Sequence, residues 1–542
     1  MKRSIPLFAC TMFYSFIAIA VFFAQNLAAA VSPDPYEEAR TLTRLEIWKA
    51  ISSGLASSAT VAFMDDGKIV YSETFGMRDR EKSLPPDKHT QFNIGTISKL
   101  FISSSILLIR EDEKVELDRP VTEYLPEFVM RDGRYKNITV RMLLNHTSGF
   151  AGTYGKNALG NSKNVAYARD TINAMADEYL KHDPGILSIY CNDGFSFAQM
   201  ILERVTGLSY PKYLDQRIFT KLGMNDSSCN FMIVNDNVVR AYDNTTGLPV
   251  PLEYVNAIAS GGISSTAEDL CRFSTVLYTN ALFTTATLEE FQKPQYGPQT
   301  VPEGIPYYRY GLGWDNVAVG KFQKQGVTVL AKNGVTSEFT GQLHVAPHER
   351  LTVAMIVSGR ADVEALTDNV MQALLEGKGV VPKIPVPITP TPKKIAIPDE
   401  LLTFEGYYGA GDGVFNIVFD RIGNTVRILK YENGVFALHA EYPYVEGGYF
   451  HVNEKKTMTF SENFGEKFML YHFPASDGVS IVMESLPALA SGIDGSAFDN
   501  KIWLPRNVNR DEFGNKVLQT SLIAELPGYV YMPNAPYALI NS

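Results

Sequence analysis

The proline run "VPKIPVPITPTP", residues 381–392, limits most strongly what this chain can fold into. Pro382, Pro385, Pro387, Pro390 and Pro392 lack an amide donor and fix their own φ, so neither a regular helix nor a central strand can pass through them. Such spacing favours an extended, semi-rigid connector. One fold must close before the run and another must begin after it. A chain of 542 residues also exceeds one ordinary domain at about 150 residues each. We therefore place a first unit at 31–380, a linker at 381–398 and a second unit at 399–542.

The two units differ in texture. The first opens with an amphipathic helix around "EEARTLTRLEIWKAISSGL". Two β-rich runs then flank Asp66-Gly67, a hairpin signal. Near the end of the unit, "YGLGW" (310–314), "VTVLAKNG" and "RLTVAMIVSG" read as strands, and "ADVEALTDNVMQALLEG" as a closing helix. Strands at both ends with helices between them predict one antiparallel sheet whose edges come from both ends of the unit. The second unit alternates short runs with turns: "GVFNIVFD", "TVRILKY", "GVFALHA", "GYFHVNE", "KTMTFSE" and "EKFMLYHF". That pattern predicts an antiparallel barrel or sandwich.

The first thirty residues stand apart. A basic "MKR" precedes the apolar "IPLFACTMFYSFIAIAVFFA", and Ala28 and Ala30 supply small residues before a cleavage point. This is the layout of a secretory signal peptide over residues 1–30, with an uncleaved anchor as the alternative. Either outcome places the body of the protein outside the cytoplasm, secreted or periplasmic, with membrane association only if the segment is kept. Removing Cys10 leaves Cys191, Cys229 and Cys271, an odd number. The fold must then rest on its core, with a Cys229–Cys271 bridge as an option. A net charge of −10 argues against a nucleic-acid partner.

Several hydrolase signatures are absent from the sequence. No G-x-S-x-G elbow occurs, and His348-Glu349 has Thr352 where a second zinc-ligating histidine would fall. His439, His451 and His472 lie on separate expected strands without metal-ligand spacing, so no cofactor or metal is expected. Three short segments carry chemistry instead. In Thr96-Ile97-Ser98-Lys99 the lysine lies one helical turn from the hydroxyl, and a buried neutral amine there could take its proton. Ser98 points elsewhere. In Tyr190-Cys191-Asn192, phenol and amide flank one residue before a helix, where both could face the same cleft. In Lys332-Asn333-Gly334-Val335, on an expected strand, Gly334 allows close backbone approach. The Val335 amide could join that of Thr96 as an oxyanion hole.

Taken in order, these segments resemble the active site of the penicillin-binding protein and β-lactamase superfamily. The resemblance is to the branch of class C β-lactamases, D-alanyl-D-alanine carboxypeptidases and D-aminopeptidases. "DDGKIVYSETFG", "FNIGTISKLF", "MLLNHTSGF" (142–150), "GGISSTAEDLCRF" (261–273) and "YGLGW" extend the likeness over roughly residues 37–379. It implies an α/β (α+β) β-lactamase/transpeptidase-like domain, an antiparallel sheet flanked by helices. The second unit resembles the all-β lipocalin-like barrel appended to some members. The likeness also implies an acyl-enzyme mechanism on amides or esters of peptide-like or β-lactam-like substrates. Thr96 would be the nucleophile, Lys99 its partner, Tyr190 the general base with Asn192 beside it, and Lys332 the source of positive charge. Asn333, Gly334 and Val335 would line the substrate.

Two positions depart from the family pattern. Thr96 stands where the family has serine, and its methyl stiffens χ1 and crowds an approaching carbonyl. Asn333 stands where a hydroxyl or small residue is usual. Both an active hydrolase and a catalytically weak or inactive relative that binds its ligand are compatible with these changes. Glu338 reads either as an anchor for a substrate amine or as a solvated loop charge. Cys191 reads as a redox-sensitive thiol or a small buried filler.

Overall fold

The computed structural model describes residues 34–539, apart from 230–235, 296–309, 384–391, 487–498, 504–517 and some shorter stretches. The expected signal peptide and most of the proline run lie outside the described residues.

The first helix, α1 (Glu37–Ser52), leads into a hairpin of β1 (Ala56–Asp65) and β2 (Lys68–Gly76). Asp66 and Gly67 both have positive φ, 47° and 77°, as a two-residue turn matched to strand twist requires. Three later strands, β3 (Leu330–Val335), β4 (Phe339–Ala346) and β5 (Leu351–Gly359), complete an antiparallel sheet in the order β2-β1-β5-β4-β3. The expected sheet with edges from both ends of the unit is therefore present.

β1 and β5 are buried at every position. Their side chains alternate between two cores, as the period of a strand dictates. Val61, Phe63, Val353 and Met355 pack toward the side that also contains Ala39 and Ile47 of α1. Val370 and Leu374 of the closing helix, Val363–Gly377, join the same side. Ala62, Met64, Ala354 and Ile356 pack toward the other side, against the helix α2 (Ser98–Glu111). Leu100, Phe101, Ile102, Ile106 and Leu107 are all fully buried. A helix enclosed on all sides has little freedom to shift, so its N-terminal end is held firmly.

Eight strands from Gly406–Ala410 to Gly478–Ser485 form a closed barrel in sequence order, the first pairing with the last. Tyr408, Phe415, Ile417, Val426, Phe450 and Met469 are among the residues of its core. The barrel seats on the first unit through Phe468, Leu470 and Val479, which pack on Leu187. Lys181 adds an ion pair to Glu484.

Two expectations change, and one option closes. "YGLGW" is not a strand: Gly311 bonds back to Trp314 O, and Gly313 donates to Leu144 O. Its backbone bonds are used in a turn that drives Trp314 into the core beside Phe291. The second unit is more than a barrel, because a four-stranded sheet of Lys501–Trp503, Leu518–Leu522, Tyr529–Met532 and Ala535–Leu539 follows it. Cys191, Cys229 and Cys271 are all free thiols, so the optional Cys229–Cys271 bridge is not made. His439, His451 and His472 lie on separate barrel strands.

Phe101 stacks on Phe273 at 4.4 Å and meets Phe219 edge-on at 5.7 Å. Phe101→Ala should cost about 3–5 kcal/mol, read from urea unfolding of the full chain. Ile422→Ala, at a residue 98% exposed, should stay within about 0.5 kcal/mol. Similar losses for the two variants would contradict a packed α2.

Candidate active site

The chain enters α2 through a short 3-10 turn, Gly95–Ile97, which places Thr96 at the helix start. The turn lies against the edge strand β3. A Cβ on Gly334 would fall 2.0 Å from Ile94 O, and one on Gly95 would fall 2.6 Å from the Val335 nitrogen. Only glycine at both positions lets strand and turn approach so closely, and that approach brings Val335 N beside Thr96. Ser98 faces away, accepting the Ile263 amide at 3.1 Å.

Lys99, one turn up, is fully buried. Its Nζ donates to Asn192 Oδ1 at 2.5 Å and to Ser260 O at 3.2 Å. It lies 4.9 Å from the ring centre of Tyr190 and 5.1 Å from that of Phe195. Two acceptors match the two N–H groups of a neutral amine and leave its lone pair free. Electrostatics agree: burial first, then the Lys332 charge, holds Lys99 well below its usual range.

Lys332 on β3 is also fully buried, but its surroundings are different. Its Nζ donates to Asp315 Oδ2 and to Asn333 O, both at 2.8 Å. It also reaches Thr96 Oγ1 and Asn333 Oδ1, each at 3.3 Å. That set needs the three hydrogens of an ammonium. Burial lowers the Lys332 pKa and Asp315 opposes the shift. The two lysines thus differ: Lys99 is driven well below its usual range, while the Asp315 carboxylate holds against that shift at Lys332.

Thr96 is half-buried, and its hydroxyl donates to Asn333 O at 3.0 Å and lies 3.2 Å from Asn333 Oδ1. Tyr190 lies beside this group, with Lys332 Nζ 5.9 Å from its ring centre. Burial of its phenol end, then Asp315, pushes Tyr190 far above its usual range, although 36% of the residue remains exposed. Tyr190 is therefore protonated at neutral pH. Asn192 is the N-cap residue of the helix Asp193–Thr206, which orients its side chain toward Lys99.

The residues expected from the sequence thus meet in one place: Thr96, Lys99, Tyr190, Asn192, Lys332, Asn333, Gly334 and Val335. Two further residues join them. Asp315 follows "YGLGW" directly, and the turn there aims it at Lys332 and at the Asn333 amide, which donates to it at 2.9 Å. A lone acid after an apolar landmark was the signal for it. His146, within "MLLNHTSGF", stacks on Tyr190 at 4.5 Å and 24° and accepts the Cys191 amide on Nδ1 at 3.1 Å. Burial above all, with the charge of Lys332 acting the same way, pushes it well below its usual range, so it is neutral. Cys191 itself is buried, with its thiol on Gly152 O and its pKa pushed up by burial to about 12, the environment of an inert filler.

A cleft of about 380 Å³ opens beside Tyr190. Ile189, Tyr190 and Tyr310 line one side, and Phe468, Ile481 and Met483 of the barrel line the other. No group of acidic, histidine or cysteine side chains suited to a metal occurs among the described residues.

The family model for Beta-lactamase matches residues 48–376, more than half of the chain. The chain belongs to the beta-lactamase family. Within the family, it is 26% identical over 278 residues to Penicillin-binding protein 4* of Bacillus subtilis, covering 47% of this chain and 59% of that relative. It is 25% identical over 295 residues to the putative penicillin-binding protein PbpX of the same organism, covering 54% and 70%. The chain thus spans about six-tenths of the first relative's length. Among solved structures, the octameric penicillin-binding protein homologue from Pyrococcus abyssi aligns over 82% of this chain and 99% of its own, with a TM-score of 0.55 and 20% identity. SurE with D-Leu aligns over 83% and 99%, with a TM-score of 0.59 and 16% identity. The beta-lactamase/D-alanine carboxypeptidase from Pseudomonas syringae aligns over 62% and 99%, with a TM-score of 0.52 and 19% identity. At these identities the structural likeness speaks for the fold of the family alone.

The neutral state of Lys99 has a measurable consequence for this beta-lactamase-family chain. Its folded pKa lies below the ordinary 10.5, so between the two values the unfolded chain binds more protons than the folded one. Its contribution to stability is full above about 10.5 and falls away as pH drops through the depressed value. Lys99→Met should therefore stabilise the fold most at low pH, with the gap to the native chain narrowing as pH rises toward 10.5, read from urea midpoints. A gap that widens with pH would mean that Lys99 is charged in the fold.

Proposed function

We propose that this chain is an extracytoplasmic hydrolase that passes an acyl group from an amide or ester to Thr96 and then to water. The observation that carries the reading is the buried Lys99 amine, bonded only to two neutral acceptors and one turn from the Thr96 hydroxyl. Thr96 Oγ1 attacks the carbonyl carbon, and its proton moves through the phenol to the Lys99 lone pair. The amides of Thr96 and Val335 hold the negative oxygen, with the field of the α2 N-terminus behind them. Collapse breaks the bond to the leaving group, which takes the proton back. Water then attacks the Thr96 ester, releasing a carboxylic acid and restoring the hydroxyl. The raised pKa of Tyr190 favours a protonated relay over a standing tyrosinate base, so Lys99 is the base in this scheme. Asn192 holds Lys99, and His146 holds Tyr190 by stacking.

The substrate class follows the family: D-amino-acid peptides, cell-wall peptides or β-lactams. The printed names of the relatives, penicillin-binding protein and beta-lactamase/D-alanine carboxypeptidase, support that choice. The apolar first thirty residues support export. No helix among the described residues is long and apolar enough to cross a membrane.

A second reading has its own support. The Thr96 hydroxyl donates to Asn333 O, while the bonds of Lys99 run to Asn192 and Ser260 O. The β-branched side chain must rotate before its proton can move toward the base, and χ1 of threonine is stiff. A site of this kind binds its ligand but turns it over slowly or not at all.

Native protein, Thr96→Ser and Thr96→Ala, each exposed to a β-lactam and to a p-nitrophenyl ester, separate the two readings by intact mass. Acyl transfer requires an adduct on the native chain that is absent from the alanine variant. The serine variant should acylate at least about tenfold faster, a barrier lower by about 1.4 kcal/mol. An adduct on the serine variant alone would leave the native chain as a ligand-binding relative.

A further inference from the structure

We propose that the cleft selects neutral acyl donors: its Lys332 end rejects a substrate carboxylate and accepts an ester, an amide or another uncharged group there. This rests on the acyl-transfer reading of the same cleft and narrows its substrate class. A lysine beside the nucleophile can attract a carboxylate only if it has both charge and a free N–H to offer. Lys332 has neither to spare. Asp315 Oδ2 and Asn333 O each take a hydrogen at 2.8 Å, and the third is shared between Thr96 Oγ1 and Asn333 Oδ1 at 3.3 Å. The Asp315 carboxylate cancels the charge at contact distance. It is itself fixed by the Asn333 amide at 2.9 Å, so it cannot swing aside cheaply.

Asn333 reinforces the effect. A hydroxyl at that position would have a proton to give a carboxylate. The Asn333 side chain instead presents Oδ1 to the Lys332 ammonium and the Thr96 hydroxyl. Turning the amide over would set its N–H groups against two donors, so the acceptor faces the cleft. The second oxygen of Asp315, Oδ1, is buried with no hydrogen-bond partner. A carboxylate arriving at Lys332 would thus find the ammonium hydrogens already taken. A neutral carbonyl or alkyl group brings no charge against the Asp315 carboxylate.

The test uses paired ligands that differ only in this charge: an N-acylated D-alanyl-D-alanine and the same compound as its C-terminal methylamide. Binding is measured by calorimetry on the full-length Thr96→Ala protein, which cannot be acylated. The methylamide should bind at least about tenfold more tightly than the acid. Adding Asp315→Asn, which removes the competing carboxylate so that the ligand's own carboxylate can take its place on Lys332, should reverse or erase that ratio. Asn333→Thr should shift the ratio in the same direction, and it reads the effect if Asp315→Asn does not fold. Equal or tighter binding of the acid with Asp315 in place, no change of ratio in a folded variant, or no binding of either ligand would each overturn the proposal. Absence of an acyl adduct on the native chain, with the binding ratio as expected, would remove acyl transfer and leave the charge selection standing.

Discussion

Two lysine amines lie fully buried in one cleft, close enough for the charge of one to depress the other. Burying a charged amine is costly, and burying two beside each other more so. The cleft resolves this by giving the lysines different partners. Lys332 keeps its proton because Asp315 stands against it. Lys99 has only neutral acceptors within reach, an asparagine oxygen and a main-chain carbonyl. One acid, placed on one side, thereby sets the two amines apart. Removing or moving that acid would alter both lysines, although it touches only one.

This division demands rigid supports, and the fold supplies them from far apart in the sequence. Lys99 is on a helix enclosed on all sides, Lys332 on the edge strand of the sheet, Asn192 at the head of another helix, and Asp315 in a turn anchored by buried Trp314. None of these elements alone defines a site. Gly334 and Gly95 join two of them, because any side chain at either position would force strand and helix start apart.

Much of this arrangement was legible in the amino-acid order. The sheet could be read because β1 and β5 are long, apolar and bounded by turn residues. The three short segments could be read because a hydroxyl, an amine, a phenol and an amide at those spacings have a chemistry in common. What escaped depends on partners distant in sequence. "YGLGW" has the composition of a strand, yet its backbone bonds close a turn, which no local pattern reveals. Asp315 is an unremarked acid until Lys332 is set beside it. The protonation of Tyr190 and Lys99 follows from burial, which belongs to the assembled core and to neither tripeptide. The sheet that follows the barrel is built of strands of three to five residues, too short to show an alternating pattern.

The seating of the barrel carries a different implication. Phe468, Leu470 and Val479 grip Leu187, and Glu484 holds Lys181, on the same short stretch of chain that ends in Tyr190. The barrel therefore braces the stretch that presents Tyr190 and walls the cavity beside that residue. Sequence drift in the strands Glu466–Phe473 and Gly478–Ser485 can reshape that cavity, or how the phenol is presented, while Thr96, Lys99 and Lys332 stay unchanged. In an organism that carries several such chains, divergence of the appended barrel offers a route to new specificities that spares the chemistry, and comparisons confined to the reacting residues would overlook it.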